Sequence, residues 1–267
     1  MPDPGLAIGG FAAGWHDEGM EREAHLSALE SDGHRLADAV TRSGLDAPIP
    51  TCPGWNTRDL VRHLGYVHRW AGTHVAQASP TELVGHSEAE VLAQGPEDGA
   101  LLEWFLDGHA ELVTTLRTAD PDLVCWTFMG TESSLDFWCR RQAHETAVHR
   151  VDAERASGPA GPIAVAFAAD GVDELIMSFT PREKTPMHSS APRTLGVHAT
   201  DTGHRWRVSV SEGRAEAERG SSEGDCVITG SAPELYLLLW NRLDRGPSVN
   251  GDPAVLDLWR SEMRVRW

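Results

Sequence analysis

Apolar residues recur at helical spacing in three stretches of the first half of the chain. Leu29, Gly33, Leu36 and Val40 share one side of a helix expected over residues 20–40, with Gly33 as its weak point. Ala47-Pro48-Ile49-Pro50-Thr51-Cys52-Pro53-Gly54-Trp55 cannot be helical, because three prolines and a glycine break it, and it reads as an extended, packed lead-in. A second helix follows, capped by Asn56 or Thr57, with Asp59 in its first turn and Leu60, Leu64, Val67 and Ala71 as its stripe. His63 lies on that inward face, whereas His68 and Arg62 lie outside it. A third helix is expected over residues 98–119, with Leu101, Phe105, Leu112 and Leu116 at helical spacing and His109, read as structural, on the same face. The fourth, over residues 133–156, is different: its centre carries no Gly or Pro but is dense in charge.

Beyond Ala156, Ser157-Gly158-Pro159-Ala160-Gly161-Pro162 stops the helix, and another begins with Pro162 near its first turn and Phe167, Val172, Leu175, Ile176 and Phe179 as apolar contacts. The period then changes. Residues 195–201 and 205–210 alternate at period two around Thr202-Gly203, a hairpin, and residues 225–230 make a third strand. Ser231 to Glu234 is a capping-box start for a buried helix over residues 235–243, and a last helix starts at Gly251-Asp252-Pro253 and ends near Trp259. The predicted architecture is α plus α+β: an irregular arm (1–19), a four-helix bundle (20–185) and a smaller α+β domain (186–267).

Composition narrows the class. The 267 residues suffice for two domains, and 40% hydrophobic with 24% charged residues describes an ordinary globular chain. A net charge of −17 argues against nucleic-acid binding. No apolar run approaches a membrane span and the N-terminus lacks a signal pattern, so a cytoplasmic protein, monomer favoured, with no membrane partner is expected. Cys52, Cys125, Cys139 and Cys226 fall singly, which indicates neither a disulfide framework nor a thiolate zinc site. Of thirteen histidines, His16, His25, His34, His86 and His188 read as surface or loop residues.

The candidate chemistry lies in Arg140-Arg141-Gln142-Ala143-His144-Glu145-Thr146-Ala147-Val148-His149-Arg150-Val151-Asp152. Side chains four apart on a helix sit about 40° from one another, so Arg141, Glu145 and His149 form a row that Asp152 extends. His144, five before His149, is turned away by about 140°. Glu145 and His149 can face inward toward His63 on a neighbouring helix, and a His/Glu/His set leaves a zinc ion with an open position. The plain alternative is a solvated charged face. Asp152 can accept from His149 or pair at the surface with Arg155, and the surface pair is favoured; Arg141 can pair with Glu145 or bind a ligand carboxylate. Cys52 reads as buried and inert.

Pro50-Thr51-Cys52-Pro53-Gly54-Trp55 with Asp59-Leu60-Val61-Arg62-His63-Leu64, the stretch from Arg141 to Asp152, Ile228-Thr229-Gly230, Leu237-Leu238-Leu239-Trp240-Asn241-Arg242 and Val249-Asn250-Gly251-Asp252 together resemble the mycothiol-dependent maleylpyruvate isomerase family. The resemblance implies a DinB-like metal-binding bundle and a sterol-carrier-like C-terminal module. It places a divalent metal, zinc foremost, on His63, Glu145 and His149, a substrate-facing basic residue at Arg242, and mycothiol as thiol cosubstrate. The partners it implies are a small thiol and a small electrophile, in isomerisation or thiol transfer. A metal- or thiol-binding regulator and a lipid-binding module remain the alternatives.

Overall fold

The computed structural model describes residues 20–83, 87–182, 187–243 and 245–263. The expected arm, His16 and His86 lie outside the described residues. Four long helices make the first half: α1 (Arg22–Ser43), α2 (Thr57–Ala76), α4 (Asp98–Thr118) and α5 (Ser134–Arg155), with the short α3 (Glu88–Leu92) before α4. Helix α1 packs chiefly on α5, and α2 on α4. Asn56 and Asp59 close a reciprocal capping box that starts α2. The Pro-rich lead-in is tied down by a bridge between Pro48 and Asn56 and by Cys52 and Trp55 donating to Ile49 and Cys52 carbonyls. Gly33, the weak point of α1, is there for packing: a Cβ on it would lie 2.3 Å from the His109 ring.

Helix α6 (Val165–Asp173) runs on as a π-helical segment, Glu174–Phe179. Its Ala168, Val172 and Ile176 share one core with the sheet and with α7 (Ala232–Leu239). The sheet has five strands in the order β3-β2-β1-β4-β5, where β1 is Arg193–Ala199, β2 Arg205–Val210, β3 Glu216–Arg219, β4 Cys226–Gly230 and β5 Ser248–Gly251. The β1–β2 hairpin is antiparallel, with Val197 opposite Trp206, and β4 runs parallel to β1. Helix α8 (Pro253–Glu262) completes the described fold. Sequence pattern finds the three inner strands and misses β3 and β5, which are the polar edges; β5 is exposed throughout. No helix among the described residues is long and apolar enough to cross a membrane.

The largest departure concerns α5. Every residue from Arg141 to Glu154 is buried, so its charged face is not a solvated one. Buried charges persist only when paired, and each finds a partner on another element. Arg141 donates to Glu174 at 2.5 Å and to Glu145 at 3.4 Å. Arg150 binds Glu154 and Asp32. Two histidines need correction. His68 is fully buried against Thr146 rather than outside the bundle, and His25 is buried on Asp170 rather than at the surface. His34 and His188 are exposed, as expected.

Candidate metal centre

His63 comes from the middle of α2, and Glu145 and His149 from successive turns of α5. The spacing of the latter two points them the same way, and packing of α2 beside α5 brings His63 to meet them. His63 Nε2 lies 3.2 Å from Glu145 Oε1, and His149 Nε2 lies 3.3 Å from the same oxygen. One donor atom from each residue falls within 4.8 Å of the others. Trp55 walls the group, its ring centroid 5.1 Å from His63 and 6.3 Å from His149.

The surroundings fix which atoms face the centre. Glu145 Oε2 accepts from Arg141, leaving Oε1 for the cluster. His149 Nδ1 lies 2.9 Å from Asp152 Oδ2, so Nδ1–H donates to the carboxylate and the Nε2 lone pair is left for the cluster. Burial would raise the Glu145 pKa, but bonds from His149 and His63 and the nearby Arg141 charge hold it well below the usual carboxylate range. Burial would lower the His149 pKa, yet the Asp152 and Glu145 bonds raise it. Two imidazoles and one ionised carboxylate converging on one point are a donor set that suits a divalent transition metal.

Two other clusters have metal-type donors among the described residues. In the first, Cys52 and Asp152 share His149, but the Arg242 guanidinium already occupies Asp152, with Nη2 at 2.8 Å and Nε at 3.1 Å. A cation there would meet a cation. Burial and the Asp152 charge push the Cys52 thiol up to about 12, so it stays protonated. The second cluster, His25, His144 and Asp170, is crossed by Arg140, which donates to the same Asp170 oxygen at 3.0 Å. It reads as a polar junction of α1, α5 and α6.

Asp152 is the residue whose expected partner is wrong. It does not pair with Arg155; it accepts from His149, from Thr51 Oγ1 at 2.5 Å, and from Arg242, ninety positions away. Arg155 donates to the Arg242 carbonyl instead. Arg141 takes the pairing alternative: it is fully buried on Glu174 and Glu145. His144 does turn away, toward Asp170 and Tyr236.

The cluster opens on a cleft of about 2690 Å³ lined by both halves of the chain. Glu145, His63, His149 and Cys52 come from the bundle side, and Trp240, Arg242 and Met263 from the sheet side. Sequence reasoning missed the far wall, Trp126, Phe128 and Arg182, which sits on irregular segments without periodicity.

Fold and site define a two-domain protein in which a helical bundle presents a His/Glu/His cluster to a cleft closed by an α+β domain. Residues 26–154 match the model of the mycothiol maleylpyruvate isomerase N-terminal domain, and residues 166–258 match the MDMPI C-terminal domain. The chain thus carries both domains in order and belongs to the mycothiol-dependent maleylpyruvate isomerase family. Among solved structures it is similar to a crystal structure of the mycothiol-dependent maleylpyruvate isomerase, at 16% identity and a TM-score of 0.63 over 86% of this chain and 93% of that one. A histidine-to-alanine mutant of that enzyme matches at 15% identity and a TM-score of 0.64, with the same coverage. At such identities the likeness speaks for the fold. No curated protein sequence matches the chain.

Proposed function

We propose that the protein is a metal-dependent enzyme that uses a low-molecular-weight thiol of the mycothiol type, acting as a maleylpyruvate isomerase-like isomerase or a thiol transferase. The observation that carries this is the convergence of His63, Glu145 and His149 on the wall of an interdomain cleft. These three residues would hold the ion. A bound divalent metal, zinc foremost, would supply the positive charge that lowers the pKa of a thiol and favours the thiolate.

The chain's own side chains do the rest. Asp152 keeps His149 in the tautomer whose Nε2 faces the cluster, and Arg141 holds the second oxygen of Glu145. The Arg242 guanidinium lines the cleft, anchored by Asp152 and by the Trp240 carbonyl. From there it stabilises negative charge on a carbonyl or carboxylate as the thiolate adds to an activated double bond or displaces a leaving group. Trp55 and Trp240 add aromatic surface to the cleft lining. Cys52 is not the nucleophile, since its thiol is held protonated beside a carboxylate.

Metal analysis of the purified protein, followed by mycothiol-dependent turnover of maleylpyruvate, tests the reading. The expected result is about one divalent ion per chain, with both ion and turnover lost in His149→Ala. Protein that holds no ion, or His149→Ala that turns over as well as the parent, refutes it. Stoichiometric ion with thiol binding but no turnover of any electrophile would instead make the chain a regulator.

A further inference from the structure

The chain has 40 acidic and 23 basic residues, yet the cleft is lined by six arginines and, among the described residues, by the two carboxylates of Glu82 and Glu145. The arginines differ in what already engages them. Arg242 is committed to Asp152, and Arg155 to the Arg242 carbonyl. Arg182 is not so committed. Its guanidinium lies over two aromatic faces, 5.1 Å from the Phe128 centroid and 5.5 Å from the Phe179 centroid, and pairs with no carboxylate among the described residues.

The cost of that arrangement is visible. Arg182 is partly buried, and burial together with the neighbouring Arg141 cation lowers its pKa. A guanidinium half out of water beside a like charge is unfavourable until an anion joins it. The two rings confine where the guanidinium sits, and its planar fork of N–H donors matches a carboxylate bidentately. Its place relative to the cluster is also set. Arg141 lies 5.1 Å from the same Phe179 ring and touches Glu145, so Arg182 stands one ring away from the residue that braces the cluster.

We propose that Arg182, seated on Phe128 and Phe179, anchors the carboxylate remote from the reacting carbon in a dicarboxylate acceptor of the maleylpyruvate type. Arg242 is left for the charge that develops at the reacting centre. The inference rests on the cleft being the active site, as set out above. A two-point hold on a dicarboxylate fixes the position of the carbons between the two charges relative to the thiol.

The test is calorimetric titration of maleate, a dicarboxylate, and of maleamide, its uncharged counterpart, into metal-loaded parent protein, Arg182→Gln and Arg182→Lys. Metal content and thermal unfolding are measured alongside, and steady-state kinetics are run with maleylpyruvate and mycothiol. Arg182→Gln should weaken maleate binding about tenfold or more and raise KM by more than it lowers kcat, while maleamide binding stays as it is. Arg182→Lys should recover part of the affinity, since it keeps charge without the planar fork. Unchanged maleate affinity in Arg182→Gln, an equal loss for maleamide, or no maleate binding by the parent overturns the assignment. Arg182-dependent maleate binding without turnover of maleylpyruvate would sink the isomerase reading and leave the anchor standing.

Discussion

Asp152 is the residue on which the two halves of the site meet, and Asp152→Asn probes it without changing its size. The carboxylate is fully buried and accepts from Thr51, His149 and both Nε and Nη2 of Arg242, whose side chain is 16% exposed. An asparagine offers one acceptor oxygen and turns an NH2 group toward donors. Arg242 is then left in the protein interior without its counter-charge. Breaking a buried ion pair costs about 3–5 kcal/mol, and the partial exposure of Arg242 puts the expectation near the lower end, about 3 kcal/mol. At about 2–4 °C per kcal/mol for a chain of this size, Tm should fall by roughly 6–12 °C. His149 also loses the acceptor that sets its tautomer, so affinity for a divalent ion should drop about 10–100-fold. Scanning calorimetry reads the first effect, and competition against a chromogenic chelator reads the second. A cycle with Arg242→Gln separates the pair from its surroundings: the double variant should be only slightly less stable than either single, giving a coupling of about 2 kcal/mol or more. Strict additivity, or an Asp152→Asn protein within about 1 kcal/mol of the parent, would refute the claim that this pair joins the halves.

Gly33→Ala should destabilise by about 1–3 kcal/mol in urea unfolding, because its Cβ would lie 2.3 Å from the ring of buried His109; that exceeds the ~1 kcal/mol helix-propensity gain of alanine over glycine. A more stable variant would mean that the His109 ring can move aside. Burial lowers the His109 pKa from 6.5 to about 4, so the unfolded chain takes up a proton that the folded chain refuses as pH falls through that window. Stability should therefore drop between about pH 6.5 and 4, by about 3 kcal/mol from this group, and His109→Gln should flatten that part of the urea-midpoint profile; parallel profiles would contradict it. Cys52→Ser should leave thiol-dependent turnover within about threefold, a change worth less than 1 kcal/mol, and near-complete loss with metal retained would return Cys52 to the chemistry.

Local pattern was enough for the parts that depend on one element. The stripe of α2 placed His63 inward, the four-residue spacing aligned Glu145 with His149, and Thr202-Gly203 marked the β1–β2 hairpin. What could not be read depends on distant partners. The charges of α5 look like those of a solvated face, because a sequence does not show that Glu174, Asp32, Asp170 and Arg242 will be waiting for them. Asp152 illustrates the difficulty: spacing favours Arg155, three residues on, over Arg242, yet Arg155 donates to the Arg242 carbonyl and the buried carboxylate takes the Arg242 guanidinium itself. His25 and His68 were misplaced for the same reason, since Asp170 and Thr146 supply the acceptors that let an imidazole be buried. The cleft wall carrying Phe128 and Arg182 has no period to read.

The bracing of the cluster explains why a metal-type site sits at the junction of two domains rather than deep inside the bundle. Glu145 and His149, the two α5 residues of the cluster, are each held from behind by a residue whose own partner lies further along the chain. Glu145 is held by Arg141, which Glu174 of the π-helical segment holds in turn. His149 is held by Asp152, and Asp152 by Arg242 beyond α7. The orientation of both α5 side chains therefore depends on the C-terminal half being docked. An ion bound by His63, Glu145 and His149 would strengthen that dependence, because binding and docking favour the same side-chain positions. The face that brings Arg242 and Arg182 to the cleft thus also holds the cluster in order.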